Sequence, residues 1–170
     1  WYWYRTGHYR VGITIHLGCI LPAGLLMIWQ FVPKIRQKAL LFHRINGYLI
    51  ILLVLVSNVG ALMIVRRAFG GGLDTQAATG LLVILTTVSL CMACYNIKRL
   101  RIDQHRAWML RAVFYLGAII TTRIILIIAT QVISKVGTYY STLSCDEIVF
   151  MHRSLKSGQE LYPQCFNGTA

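Results

Sequence analysis

Four long apolar segments divide the chain, and polar or basic connections separate them. The segments cover residues 11–32, 45–65, 77–97 and 107–134. Each has about 20 residues or more, which is the length that an α-helix needs to cross a hydrocarbon core of about 30 Å. Lipid cannot satisfy exposed backbone hydrogen-bonding groups, and the strands of a β-barrel would be shorter and would alternate in polarity. The pattern therefore predicts four transmembrane helices.

The connections between the apolar segments are short. Residues 33–42 and 98–104 would lie on one side of the membrane, and residues 66–76 on the other. Short connections join antiparallel neighbours. We therefore predict an all-α integral membrane protein, an up-down-up-down four-helix transmembrane bundle over residues 1–135. A short extramembrane tail over residues 136–170 would follow it.

Composition and charge agree with a membrane protein. Apolar residues make up 56% of the chain and charged residues only 13%, whereas about a quarter of a soluble domain is charged. The formal net charge of +12 would suggest nucleic-acid binding in a soluble protein. Here the basic residues lie mostly at the ends of apolar segments, where they would meet lipid headgroups. The charge thus indicates the lipid bilayer, and no nucleic acid, as the partner.

The basic residues also predict an orientation. One pair of connections is strongly basic, with only Asp103 opposing it. Its basic residues are Lys34, Arg36, Lys38, Arg44, Lys98, Arg99, Arg101 and Arg106. Because cytoplasmic loops carry an excess of Lys and Arg, we expect this pair to be cytoplasmic and both termini to be luminal or extracellular, in an endomembrane or the plasma membrane. Since the chain opens at Trp1, we also expect further residues upstream.

The tail carries two features that suit an oxidising compartment. Cys145 and Cys165 follow the fourth segment and are candidates for a disulfide. Asn167-Gly168-Thr169 is an acceptor pattern for glycosylation at Asn167. Both features agree with a luminal or extracellular tail.

Two histidines open predicted helices at the basic end of the bundle. His43 precedes the second apolar segment and His105 the fourth. Two imidazoles that project into a four-helix bundle are the axial ligands that a bis-histidine haem b requires. Neighbouring residues would complete such a cofactor site: Arg44, Arg106, Trp108 and Arg111. The alternative is that these side chains are interfacial and contact lipid headgroups.

Cys91 and Cys94 offer a different chemistry at the same depth. Their spacing places them on one face of the third helix, and with His43 and His105 they would form a Cys₂His₂ zinc set. The alternative is that they are two small apolar residues in a packed membrane helix. We adopt the second interpretation and predict no metal site.

A second cluster of polar residues is predicted toward the opposite face of the membrane. Counting along the helices places His16, Asn58, Thr122 and Arg123 at similar depth. An arginine inside a membrane is costly unless it is paired, and no acidic residue lies within an apolar segment. The cluster would therefore bind the anionic or carbonyl head of a lipid-like or apolar ligand. Alternatively, Arg123 extends outward to the interface.

Several of these motifs together resemble a known family. They are His16, Gln30, His43-Arg44-x-x-Gly47, Gln104-His105-Arg106-x-Trp108-Met109-x-Arg111 and Arg123. They resemble a family of predicted four-helix membrane proteins that is known only as a domain of unknown function, and the likeness covers residues 10–135. The tail is similar to that of filamentous-fungal members in Tyr139-Tyr140, Cys145-Asp146-Glu147 and Tyr162-Pro163-x-Cys165. The resemblance implies the four-helix membrane fold and no particular activity.

Three functions remain open at this point. The first is a small haem b protein for membrane redox or electron transfer, held by His43 and His105. The second is a membrane enzyme or binding protein for a lipid-like substrate, in which His16 is an acid or base and Arg123 orients the head group. The third is a non-catalytic subunit or assembly factor of a homo-oligomer or larger membrane complex. We favour the first, because it accounts for two histidines that open two different helices.

Overall fold

The computed structural model describes residues 2–138, 140, 142–152 and 161–166. Asn167 and Tyr139 lie outside these residues. The α-helices of the described chain are α1 (Gly7–Gln30), α2 (Pro33–Lys38), α3 (Leu40–Ile64), α4 (Leu73–Lys98), α5 (Ile102–Val136), α6 (Cys145–His152) and α7 (Pro163–Phe166). Two 3-10 helices, Tyr2–Tyr4 and Val65–Gly70, precede α1 and follow α3.

Among these residues, the structure has four helices that are long and apolar enough to cross a membrane. They are Gly7–Gln30, Leu40–Ala68, Leu73–Lys98 and Ile102–Val136. The predicted all-α, four-helix transmembrane architecture is therefore confirmed. The helices begin four or five residues before the apolar segments do, because a helix continues into the headgroup layer, where polar side chains are tolerated. In α5, for example, the first turns contain Asp103, Gln104 and His105.

The short helix α2 lies within the first of the predicted connections, residues 33–42. Pro33 occupies its first turn, where a missing N–H costs nothing. Its six residues, Pro33–Lys38, include three basic side chains and one large apolar side chain, Ile35. A helix this short leaves no apolar run in the sequence, so periodicity does not reveal it.

Helices α1 and α3 approach each other closely at a pair of glycines. A Cβ atom added at Gly60 would lie 2.7 Å from the carbonyl oxygen of Gly12 and 2.7 Å from the backbone nitrogen of His16. Only glycine leaves room for backbones at this separation, which is the usual basis of close helix packing in membranes. Farther along α1, Ala23 is completely buried. Small residues therefore determine how these two helices pack.

The core of the bundle is small, and every long helix contributes to it. It consists of Ala23 of α1, Ile50 and Val54 of α3, Leu90 of α4, and Ala112 of α5. Large apolar side chains such as Leu21, Leu25 and Phe114 lie on the outside instead. An exposed apolar surface of this kind is expected where the surrounding solvent is lipid.

The described chain forms two compact units. The larger extends from Trp3 to Thr121 and contains the core. The other includes Tyr2, α5 from Thr122 onward, and the tail. Within this second unit Cys145 of α6 and Cys165 of α7 lie at disulfide distance, as the sequence predicted.

The N-terminus of α6 forms a reciprocal capping arrangement. The backbone N–H of Ser144 donates to Oε2 of Glu147 at 3.2 Å, and the backbone N–H of Glu147 donates to Oγ of Ser144 at 3.4 Å. Ser-x-x-Glu is the sequence signature of such a capping box, and each half satisfies a backbone donor that the helix leaves free. The tail thus begins with a defined helix start.

Candidate functional site

His43 and His105 lie at the same end of the larger unit, on different helices. Helix α3 begins at Leu40 and α5 at Ile102, so each histidine is the fourth residue of its helix. Helices α1 and α4 terminate at this same end of the unit, at Gln30 and Lys98. The structure therefore brings together the two histidines that the sequence singled out for a cofactor.

The ring of His105 is held by α4. Its Nδ1 lies 2.9 Å from the carbonyl oxygen of Ala93. A carbonyl oxygen can only accept, so Nδ1 carries the proton and donates, and the lone pair of Nε2 is left available. This is the arrangement that orients a histidine for ligation, with one ring nitrogen anchored on the backbone and the other presented to a ligand.

The ring of His43 is half-buried in a positive environment. Its Nδ1 is buried and has no hydrogen-bond partner within the described residues. His105 is close enough to interact with it electrostatically, as are Arg36 and Arg44. Because buried polar atoms are nearly always paired, an orphaned ring nitrogen is unusual and calls for an explanation.

Two amide side chains fix the start of α3 against the end of α1. Nε2 of Gln30 donates to the carbonyl oxygen of His43 at 3.1 Å. Nδ2 of Asn46 donates to the carbonyl oxygen of Leu26 at 3.0 Å, and only 4% of Asn46 is exposed. These bonds hold the backbone of His43 in place. Gln30 belonged to the family motif, whereas Asn46 had no signal in the sequence beyond being polar within an apolar segment.

The remaining residues predicted for the cofactor lie around the histidines on the outside of the helices. Arg44, Arg106 and Arg111 are exposed, and Trp108 is half-buried. The guanidinium of Arg111 lies 4.4 Å from the centre of the Trp108 ring, which is within cation–π range. Exposed guanidinium groups here suit carboxylates or phosphates at the surface of the bundle.

The zinc alternative would need Cys91 and Cys94 beside the two histidines. Cys91 is exposed and Cys94 is half-buried. No group of three or more His, Cys, Asp or Glu side chains within the described chain is placed to hold a metal ion. The Cys₂His₂ set of Cys91, Cys94, His43 and His105 is therefore not assembled, since Cys91 turns to the outside of α4.

His16 is bound to α3 through a serine that sequence reasoning missed. Its Nδ1 lies 3.1 Å from the carbonyl oxygen and 2.9 Å from Oγ of Ser57, and Oγ of Ser57 lies 3.2 Å from the carbonyl oxygen of His16. One consistent assignment has Nδ1–H donating to Ser57 and the hydroxyl donating back to the His16 carbonyl. The signal for Ser57 was its position one turn before Gly60, on the same face of α3.

Asn58 turns toward a different helix. Its Nδ2 donates to Oγ1 of Thr87 on α4 at 3.4 Å, whereas His16 is bound to Ser57. Thr122 and Arg123 belong to the second unit and are exposed there. The four-residue cluster of His16, Asn58, Thr122 and Arg123 therefore stays a prediction.

The fold defines a class, a membrane protein with four spans and a pair of histidines where two of its helices begin. The model of the family described as "Predicted membrane protein (DUF2306)" matches residues 13–150. The chain belongs to this family, which confirms the resemblance seen in its motifs. No curated protein and no solved structure matches the chain significantly.

Proposed function

We propose that this protein is a small haem b protein that transfers single electrons within the membrane, with His43 and His105 as the axial ligands. One observation carries the proposal. His105 is anchored through Nδ1 with its Nε2 available, and the half-buried ring beside it, His43, has a buried nitrogen without a hydrogen-bond partner.

The residues present fit haem b. Haem iron held by two imidazoles supplies reversible one-electron oxidation and reduction. His43 and His105 would bind the iron. The bond from Gln30 holds the backbone of His43, and the bond to the Ala93 carbonyl holds the ring of His105. Arg44, Arg106 and Arg111 would neutralise the propionate carboxylates, with Trp108 beside them.

The absorption spectrum of the purified protein, from cells that are supplied with haem precursor, tests the proposal. We expect a Soret band in the wild type that is lost in both His43→Ala and His105→Ala. His8→Ala is the matched control, because His8 is exposed near the start of α1, away from the basic end, and stacks on Tyr9. A colourless wild-type protein, or variants that keep the full band, would contradict the assignment.

Binding of a lipid-like or apolar ligand by His16, Asn58, Thr122 and Arg123 ranks second. Its support is that His16 is half-buried with only Nδ1 engaged. Pairing of α1 with α3 already explains that bond, so the observation does not require a ligand. Co-purified lipid that is retained by the wild type and lost in Arg123→Gln would favour lipid binding over the haem proposal. A role as a subunit of a larger complex has no observation that favours it.

The orientation is part of the same proposal. The basic end, with His43 and His105, would be cytoplasmic, and the tail with Cys145 and Cys165 would be luminal or extracellular. The charge of the connections and the paired cysteines support it. A shift in electrophoretic mobility on treatment with glycosidase, absent in Asn167→Gln, would place the tail on that side. An unmodified Asn167 together with proteolysis of the tail from the cytoplasmic side would reverse the orientation.

A further inference from the structure

The turn between α4 and α5 ends α4 in a defined way. The backbone N–H of Arg101 donates to the carbonyl oxygen of Asn96 at 2.9 Å, and that of Leu100 donates to the carbonyl oxygen of Ile97 at 3.0 Å. These two bonds are those of a Schellman motif, in which one residue after the helix adopts a left-handed conformation. Leu100 is that residue.

Leu100 is an unusual choice for this position. Its φ is 58°, and among the described non-glycine residues it alone has a positive φ. Glycine normally occupies this position, because a side chain crowds the backbone there. The side chain of Leu100 is also 82% exposed. Because the side chain is exposed, the strained backbone at Leu100 is not offset by packing within the chain. Residues with strained backbone conformations concentrate at functional sites.

The residues around the turn are basic and exposed. We define the basic rim as Lys34, Arg36, Lys38, Lys98, Arg99, Arg101 and Arg106, all of which are exposed. Asp103 is the acidic residue among them. The structure gives none of the rim side chains an ion pair within the residues that it describes. The rim is therefore a concentrated positive surface that its own chain does not neutralise.

The depth of the turn relative to the membrane can be inferred from α5. Trp108 and its partner Arg111 have the composition of an interfacial belt. Trp108 is six residues after Ile102, so at 1.5 Å per residue the start of α5 is about 9 Å along the helix from this belt. Orienting the helices in the membrane does not require an apolar side chain at that height. On this placement, Leu100 and the rim charges around it would face water and be open to an aqueous partner.

We infer that the basic rim and Leu100 form a docking surface for the acidic surface of a soluble protein. The rim charges would attract and orient the partner, since complementary charge governs encounter and register. Leu100 would supply the desolvated apolar contact that such interfaces need near their centre. The inference goes beyond the proposed function and does not depend on it, because binding is measured and not electron transfer.

Binding of flavodoxin, an acidic soluble protein, to the chain in nanodiscs of neutral phosphatidylcholine tests this surface. We expect saturable binding that weakens steeply as salt is raised. Arg99→Gln combined with Arg101→Gln should weaken it about tenfold. Flavodoxin with amidated carboxylates is the matched control and should not bind. Equal binding of both flavodoxins, no binding of either, or no effect of the double substitution would overturn the inference.

Leu100→Gly separates docking from folding. Glycine removes the crowding at φ 58°, so we expect the variant to melt about 2–4 °C higher than the wild type. The same variant should bind flavodoxin about fivefold more weakly, because the apolar contact is lost. Leu73→Ser is the control, since Leu73 is 83% exposed at the other end of α4. A Leu100→Gly protein with undiminished binding would remove Leu100 from the surface.

Anionic lipid is the competing occupant of the basic rim, and a spin label distinguishes the two. The label is placed at Leu100→Cys in a chain whose free cysteines, Cys19, Cys91 and Cys94, are replaced by alanine. We expect it to collide with a water-soluble nickel chelate more than with oxygen, in nanodiscs with and without phosphatidylserine. A label that is shielded from nickel and accessible to oxygen would place Leu100 in lipid and overturn the inference. The haem spectrum of the same samples shows independently whether the proposed function holds.

Discussion

Helix α1 meets α3 along its whole length, whereas α5 touches the rest of the larger unit at few points. The α1–α3 interface combines the contact of Gly12 with Gly60 and three hydrogen-bonded levels: His16 with Ser57, Leu26 with Asn46, and Gln30 with His43. In α5, by contrast, Ala112 is the single buried residue of the helix. His105 supplies a hydrogen bond from α5 to α4, through the Ala93 carbonyl.

The difference shows what holds helices together in lipid. Apolar side chains gain little by leaving lipid for a neighbouring helix, so close packing depends on small residues and on polar bonds between helices. Helices α1 and α3 have both. Helix α5 instead exposes large side chains such as Phe114 and Ile120. The α1–α3 pair is therefore the fixed part of the larger unit, and the proposed haem would take one ligand, His43, from this pair and the other, His105, from α5.

Among the substitutions that test this comparison, Gly60→Leu should lower the free energy of unfolding the most. Even the first added carbon would meet backbone atoms of Gly12 and His16, which cannot move without separating the two helices. We expect a loss of about 3 kcal/mol in unfolding free energy, or no folded protein. Unfolding by SDS in mixed micelles measures it. Gly24→Leu is the matched control, because nothing lies within 4 Å of a Cβ there; equal losses would mean that the glycine contact is not what joins α1 to α3.

The bond between His16 and Ser57 should have an intermediate effect. We expect Ser57→Ala to cost about 1 kcal/mol, because it removes one hydrogen bond in lipid. A double-mutant cycle with His16→Leu should give a coupling energy of about 0.6–1.7 kcal/mol. The same unfolding measurement checks it. Additive losses in the cycle would show that the two side chains do not act together.

The bond between Asn58 and Thr87 should matter least. At 3.4 Å it is long, and it connects α3 with α4, outside the α1–α3 interface. We expect Thr87→Val to cost about 0.5 kcal/mol or less. A loss as large as that of Ser57→Ala, in the same assay, would erase the distinction between the two regions.

The sequence predicted the four spans and their order, because hydropathy and length depend on the bilayer and not on packing. It could not predict the ends of the helices. Residues 40–42 and 102–104 fell in predicted connections but form the first turns of α3 and α5. It also gave no sign that Leu100 would take a conformation usually reserved for glycine, since a leucine there argues against a positive φ.

The sequence predicted the two candidate ligands of the site but not the groups that hold them in place. His43 and His105 stood out because each directly precedes an apolar segment, at the same predicted end of the bundle. The acceptor that holds His105 is the backbone carbonyl of Ala93. Every residue has such a carbonyl, so the sequence does not indicate which one is used. Asn46 and Ser57 are polar residues within an apolar segment, and only the helix register shows that they face α1. Each of these contacts depends on the relative position of two helices, and the residue pattern along one helix does not contain that information.

The electron paramagnetic resonance spectrum of the oxidised protein, taken with its haem content, tests the central claim most directly. We predict one haem per chain and a low-spin ferric signal of the kind that two imidazole ligands produce. In His105→Ala that signal should be lost, whereas His16→Ala, whose ring is bound to Ser57, should keep it. A protein without haem, a high-spin signal in the wild type, or a low-spin signal that survives in His105→Ala would contradict the account.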